Sequence, residues 1–343
     1  MKKPKKKLQK KSRLKRILLW IGGALALLAL ALVLLARKPV PERFTYGISF
    51  SAPYTEELGL NAREVYTAFL AELGVRHLRL AAQWPMIEPR RDAFDFSELD
   101  FEVAEAKKYG ADIVLAVGRR LPRWPECHTP GWAQELSWEE QKNEIKAYVT
   151  EVINRYKDEP HIVYWQVENE PYLGTFARDQ CGELDEAFLK EEIALVRELD
   201  PGRPILVTDG GNFGTWTGAY GAGDAFGTSV YVYFWNPTYG QFRTVLPSVT
   251  YRIKENLVQL FYGTKPTFLI ELSLEPWLIE PVIKVPIETQ LERMNPEKFD
   301  EIIQYAKETR YDRQYLWGGE WWYWLKTKGR AEMWEKGAAI FAQ

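Results

Sequence analysis

PHIVYWQVENEP occupies residues 160–171. Its first part is an unbroken apolar and aromatic run, and it closes on two acids, an amide and a proline. A strand without polar–apolar alternation is one buried on both faces, as in a parallel sheet. Outward from it lie seven more runs of the same character. They are FTYGISF (44–50), HLRLAA (77–82), DIVLAVG (112–118), PILVTDG (204–210), GTSVYVYF (227–234), TFLIEL (267–272) and QYLWGGEWW (314–322).

Amphipathic stretches with recognisable ends separate these runs. Asn61 predicts the cap of a helix running through Glu72 and stopped at Gly74. Ser97 with Asp100, and Ser137 with Glu140, read as capping boxes, their helices ending near Gly110 and Tyr156. Further helices fit 184–199, 246–261, 297–309 and 332–341. Residues 211–226 are Gly-rich and predict a short or missing helix. Eight strands alternating with helices imply a parallel sheet, and eight units in roughly 290 residues match the size of a closed (β/α)₈ barrel. The fold expected is therefore α/β, a TIM barrel over residues 44–343. An open doubly wound sheet is the alternative, but the first strand-to-helix turn has no GxGxxG.

The N-terminus is a different material. Residues 17–36, ILLWIGGALALLALALVLLA, carry no charge. At about 1.5 Å per residue such a helix spans a hydrocarbon core of about 30 Å. Residues 1–16 form a basic flank, with ten Lys or Arg, and residues 37–43 read as a linker. The positive-inside rule puts the flank in the cytoplasm and the body outside, at the cell surface or in the periplasm. A cleaved signal peptide is the competing reading, although its apolar region is normally about 7–15 residues. The formal net charge of −2 hides this split. Residues 1–38 hold twelve of the 45 basic residues and no acid, which leaves 33 basic against 47 acidic in the body, a net −14. That sign argues against nucleic acid as a partner. Two Cys and three His exclude a four-Cys zinc module and a His-rich metal site, so no metal or organic cofactor is implied.

In a barrel of this type the chemistry sits at the C-terminal ends of the strands. Those ends collect Arg79 and Trp84, Arg119, Arg120 and Arg123, Asn169 and Glu170, Asp209, Tyr231 and Trp235, Glu271, Glu275 and Trp277, and Trp321 with Trp322. Glycoside hydrolysis needs a protonated carboxyl for the leaving oxygen and an ionised one for the anomeric carbon, about 5–5.5 Å apart in a retaining enzyme. Glu170 and Glu271 each close an apolar strand and are the candidates. Arg79 lies inside an apolar run and needs a partner, either Glu271 or a structural acid. Trp235, Trp277 and Trp321 are the aromatic rings expected to line a cleft, since pyranose C–H faces stack on indole. Asp209 before Gly210-Gly211 reads first as a turn residue, Trp165 as packing. Cys127 and Cys181 follow neighbouring strands, where an oxidising exterior would allow a disulfide; two free thiols are the alternative.

The runs VENEP (167–171) and KPTFLIE (265–271) resemble the fourth- and seventh-strand motifs of clan A glycoside hydrolases, retaining (β/α)₈ enzymes of cellulase-like and β-galactosidase-like type. The resemblance covers about residues 44–330. It implies Glu170 as acid/base, Glu271 as nucleophile, Arg79 as the second-strand arginine, and Tyr231 (or Tyr233) as the tyrosine that orients the nucleophile. It maps the eighth-strand tryptophan to Trp321 or Trp322. Asn169, Trp84, Trp235 and Trp277 join the expected substrate contacts. The function implied is a membrane-anchored hydrolase of an extracytoplasmic oligo- or polysaccharide. A non-hydrolytic glycan-binding protein, or a transglycosylase, on the same barrel is the alternative. Nothing in the sequence specifies an oligomeric state.

Overall fold

A computed structural model describes residues 5–36, 39–174, 177–182 and 184–343. Parts of the expected flank (1–4) and linker (37–38) lie outside the described residues. Eight parallel strands close into a barrel: β1 (Thr45–Ser49), β2 (His77–Ala81), β3 (Asp112–Val117), β4 (Ile162–Val167), β5 (Ile205–Asp209), β6 (Ala225–Val230), β7 (Thr267–Ser273) and β8 (Arg313–Trp317). Each strand pairs with its sequence neighbours, and β1 meets β8 to close the ring, Thr45 opposite Arg313 and Ile48 opposite Leu316. All eight apolar runs thus form barrel strands.

The lumen is filled from five strands by Val114, Leu206, Ala225, Phe268, Ile270 and Tyr315, with Tyr164 of β4 packed on them. A larger apolar layer lies between the strands and the outer helices. Helix Ala62–Ala71 is capped by Asn61, whose side chain accepts from the Glu64 N–H at 3.1 Å. Helix Trp138–Tyr156 carries the expected capping box of Ser137 and Glu140. The box expected at Ser97 does not form. Helix Ser97–Lys108 begins one residue earlier than that box requires, with Phe96 at its cap position, and Asp95 accepts from the Ser97 N–H instead. A short helix, Thr217–Ala222, follows β5.

Two of the apolar runs also differ from expectation. The sixth run does not stay in the barrel: after Val230 it turns into an antiparallel hairpin, Tyr233–Asn236 with Gly240–Arg243. The eighth run ends early. Gly318 adopts φ +112°, a left-handed conformation costly for other residues, and helix Gly319–Thr327 starts immediately after. Trp321 and Trp322 therefore fall on a helix and not at a strand end. Both are fully buried, with the Trp321 Nε1–H donating to Gln290 Oε1 at 2.6 Å and the Trp322 Nε1–H to the Leu274 carbonyl at 2.9 Å. This corrects the placement of Trp321 in a cleft: no face of its ring is accessible. Trp84 is corrected on the same ground. It is fully buried between Trp132 and Tyr148 and donates to Glu88.

At the N-terminus a single helix runs Lys5–Leu35, beginning well before the apolar run. Its segment Lys15–Leu34 is long and apolar enough to cross a membrane, a property that a signal sequence shares.

Deleting a buried Trp side chain leaves a cavity as well as lost transfer energy, typically about 3–5 kcal/mol. Trp321→Ala is expected to lower stability by about that amount in chemical denaturation, whereas Trp235→Ala, on the partly exposed hairpin, should change it far less.

Candidate active site

Arg79 leaves the middle of β2 and points into the upper lumen, 1% exposed. A guanidinium there must be paired. Its Nη1–H donates to Glu271 Oε2 at 2.8 Å, its Nη2–H to Asn169 Oδ1 at 2.6 Å and its Nε–H to Gln166 Oε1 at 2.9 Å. One side chain from β2 therefore ties together the ends of β4 and β7. The second oxygen of Glu271 accepts from the Tyr231 hydroxyl, from the segment just past β6. Burial, and the charges of Glu271 and Glu170, hold that phenol well above its ordinary range, so it stays a donor.

The end of β4 is held in an unusual backbone. Glu168 and Glu170 both sit at positive φ, +56° and +46°. Such residues cost about 1–3 kcal/mol each and persist only where the surroundings fix them. Here they do. The Asn169 N–H donates to the Arg120 carbonyl at 2.6 Å, and the Glu170 N–H to Thr208 Oγ1 on β5 at 2.8 Å. The Glu168 carboxylate accepts from the Arg119 and Arg120 N–H groups at 2.7 and 2.5 Å. Gly118, at φ +115°, makes room for it, since a Cβ there would overlap the Glu168 carboxylate. Glu192 completes the support. Burial and the Glu168 charge raise it well above the carboxylate range, and it hydrogen-bonds Glu168 as the protonated partner.

Glu170 is 8% exposed. Burial first, then the charges of Glu271 and Glu126, push it up to about 8. Glu126 comes from the loop after β3, where it pairs with Arg120 at 3.1 Å. Burial raises it too, opposed by Arg120 and reinforced by Glu271. The site thus holds three mutually repelling carboxyls and two arginines. Glu126 was not among the sequence candidates, because its loop position becomes meaningful only once the loop folds back over the barrel.

A second cluster stands beside the first. Arg123, also in the loop after β3, pairs with both oxygens of Glu275 and, at 3.3 Å, with Glu320. Its guanidinium lies 3.5 Å from the Tyr54 ring centre and 4.2 Å from that of Trp317. Trp317 ends β8, and its Nε1–H donates to Glu275 at 2.7 Å. This tryptophan, not Trp321, occupies the eighth strand end. The Gly318-Gly319 pair that follows it in the sequence was the signal that could have found it. Burial lifts Glu320 to about 7 in spite of Arg123, and Glu320 accepts from the Ser51 N–H at 2.8 Å.

The remaining candidates are placed as follows. Trp277 packs edge-on against Tyr231, ring centres 5.4 Å apart, and against Phe234. Trp235 lies on the hairpin under the Arg293 guanidinium, 4.0 Å away. It lines a cavity of about 210 Å³ with Leu278, Ile279 and Arg293. Tyr233 turns away from Glu271 and donates to Glu301. Asp209 accepts from the Gly210 and Trp216 N–H groups, both at 2.8 Å, as a turn residue does. Trp165 is buried packing. Cys127 and Cys181 are joined as a disulfide, Cα atoms 5.4 Å apart, clipping the loop after β3 to the one after β4. Arg119 donates to the Cys181 carbonyl at 2.7 Å, so its role is in the same clip.

The chain is similar in sequence to known glycosidases. Residues 60–262, more than half of the chain, match glycoside hydrolase family 42, described as beta-galactosidase. Among curated relatives, the beta-galactosidase BgaH of Haloferax lucentense is 26% identical over 199 residues, covering 52% of this chain and 26% of that protein. A putative mannan endo-1,4-beta-mannosidase 4 of Arabidopsis thaliana is 28% identical over 148 residues, covering 36% and 34%. The chain thus spans only about a quarter to a third of the relatives' length. The crystal structure of GH5_18 from Bifidobacterium longum subsp. longum is similar in fold, with a TM-score of 0.56 at 16% identity, over 80% of this chain and 70% of that one. The beta-galactosidase of Halorubrum lacusprofundi gives 0.51, also at 16% identity, over 80% and 52%. With the closed barrel and the match over residues 60–262, the chain belongs to the beta-galactosidase family, glycoside hydrolase family 42.

Proposed function

We propose that the protein is a retaining glycosidase acting on a β-linked hexose glycan outside the cytoplasm. The observation that carries this reading is the inequality of two neighbouring carboxyls. Glu170 is buried and pushed up to about 8 by that burial and by the Glu271 charge, whereas Glu271 is in an ion pair with Arg79 and accepts from Tyr231. A buried carboxyl raised toward its protonated form beside one that is ion-paired to an arginine is what acid-assisted double displacement requires.

In the first step Glu170 gives its proton to the glycosidic oxygen as the C1–O bond breaks. A Glu271 oxygen bonds to C1, and the leaving sugar departs as an alcohol. In the second step the Glu170 carboxylate takes a proton from water, the water oxygen adds to C1, and the bond to Glu271 breaks. Arg79 and Tyr231 fix the Glu271 oxygens before and after attack. Trp277, packed on Tyr231, and Trp235 would offer ring faces or edges to the sugar. Galactose and mannose units are the first to test, because the relatives are named for them. The disulfide between Cys127 and Cys181 supports an oxidising compartment, and the helix Lys5–Leu35 supports a membrane anchor.

Glu271→Gln and Glu170→Gln are each expected to reduce hydrolysis of aryl β-galactosides or β-mannosides by at least about 10³-fold while leaving the fold intact by circular dichroism. The two are distinguished by rescue: sodium azide should restore turnover of an activated aryl glycoside by Glu170→Ala and yield a glycosyl azide of retained configuration. Near-full activity in either Gln variant would sink the assignment.

Stability follows from the same protonation. The folded protein holds Glu170 at about 8 against an ordinary 4.5. The group favours the fold below pH 4.5, and this contribution is lost as the pH rises toward 8. Glu170→Gln should therefore show a smaller fall in thermal midpoint between pH 5 and pH 8 than the unaltered protein, read by parallel melts.

A further inference from the structure

The eight strands are parallel, so they all start at one end of the barrel and deliver Glu170 and Glu271 at the other. The N-terminal helix joins the starting end: β1 begins at Thr45, nine residues after Ala36. Residues 37–44 reach at most about 28 Å when fully extended, at about 3.5 Å each. The end of that helix also packs against helix Val249–Tyr262, and Ala36 is 2% exposed.

Helix Val249–Tyr262 feeds β7, so its C-terminal end lies at the same starting end of the barrel. It buries Tyr251, Arg252, Glu255 and Val258 against the barrel. Its outer face should then be polar, as on other outer helices of such folds. Instead Leu257, Leu260 and Phe261 are exposed by 40, 78 and 80%. Positions 257, 260 and 261 are spaced three and four apart and share one face. A contiguous apolar face on a barrel exterior needs a covering phase.

We propose that this face rests on the lipid bilayer that the N-terminal helix spans, so that the strand ends carrying Glu170 and Glu271 point away from the membrane. The proposal rests on the anchor reading above. Three observations converge on that occupant: the apolar helix ends against the same outer helix, the tether is short, and the apolar face lies at the tethered end. The barrel is then docked by its base, and the cleft meets glycans from the aqueous side, not the headgroups of glycolipids in the same leaflet.

The test uses the full chain in phosphatidylcholine–phosphatidylglycerol vesicles, a fraction of whose acyl chains carry a nitroxide. Both native cysteines are in the disulfide, so an introduced cysteine is the single free thiol. A fluorophore is attached at Phe261→Cys, at Leu257→Cys, and at Tyr239→Cys on the hairpin at the opposite, strand-end face. Quenching is expected to be several-fold stronger at 257 and 261 than at 239. Co-sedimentation with vesicles but equal quenching at the three positions, or stronger quenching at 239, overturns the docking while leaving the anchor. A chain that does not sediment with vesicles overturns the anchor, and the docking with it.

Discussion

The Arg79 guanidinium is the constraint around which the upper barrel is arranged. A charge at 1% exposure has lost nearly all its hydration, and removing its partner would leave that loss uncompensated, a penalty of several kcal/mol. Four of its five N–H groups are oriented by side-chain or carbonyl oxygens on β4 and β7, at Gln166, Asn169, Glu271 and Ile270. Strand register alone would leave the ends of β4 and β7 free to drift relative to each other. The planar guanidinium removes that freedom, because its donors have fixed directions. The position of Glu271 is thus a consequence of charge burial before it is a matter of chemistry.

The other carboxyl is placed by backbone strain. Two left-handed residues in three would unwind the end of β4 if their peptide groups were solvated. They are pinned by donors and acceptors from the adjacent loops and from β5, and by the Glu168–Glu192 pair beneath. The strain turns Glu170 inward to a place where its charge is unwelcome. The repulsion between Glu170 and Glu271 then follows from geometry, and together with burial it pushes Glu170, the one not paired to Arg79, up to about 8.

How much of this was legible in the sequence depends on range. Continuous apolar runs such as Ile113–Val117 and Phe268–Ile270 announce buried parallel strands directly. Glu170, Glu271, Arg79 and Tyr231 could be found because a strand end fixes their place in the barrel. The misplacement of Trp84 and Trp321 has a local cause: indole rings suit a core and a cleft equally, and residue type does not say which. The strand end at Gly318 is masked in the sequence by the apolar residues on either side of it. The hairpin after β6 was absorbed into one long run, Gly227–Phe234, since its strands carry the same aromatic composition as a barrel strand. The Arg123 cluster was illegible for another reason. Its partners lie 152 and 197 residues away, at separations that only the closed ring brings together.

That cluster makes the cleft asymmetric. Arg123 is held between Tyr54 and Trp317 and neutralised by Glu275 and Glu320, so the ring face that β8 would present is already covered. The space left there, bounded by Ser49, Arg79 and Trp317, is about 10 Å³, room for one hydroxyl or water and not for a ring. Elsewhere Trp277 packs on Tyr231, and a cavity some twenty times larger is lined by Trp235, Leu278, Ile279 and Arg293. The two spaces therefore differ in kind: one is charged and nearly filled, the other roomy and lined by Trp235 with aliphatic and charged residues. On the proposed chemistry, a sugar chain extending from the cleavage point would run along the aromatic side. The third-strand loop that supplies Arg123, Glu126 and Cys127 would set the closed end of the cleft.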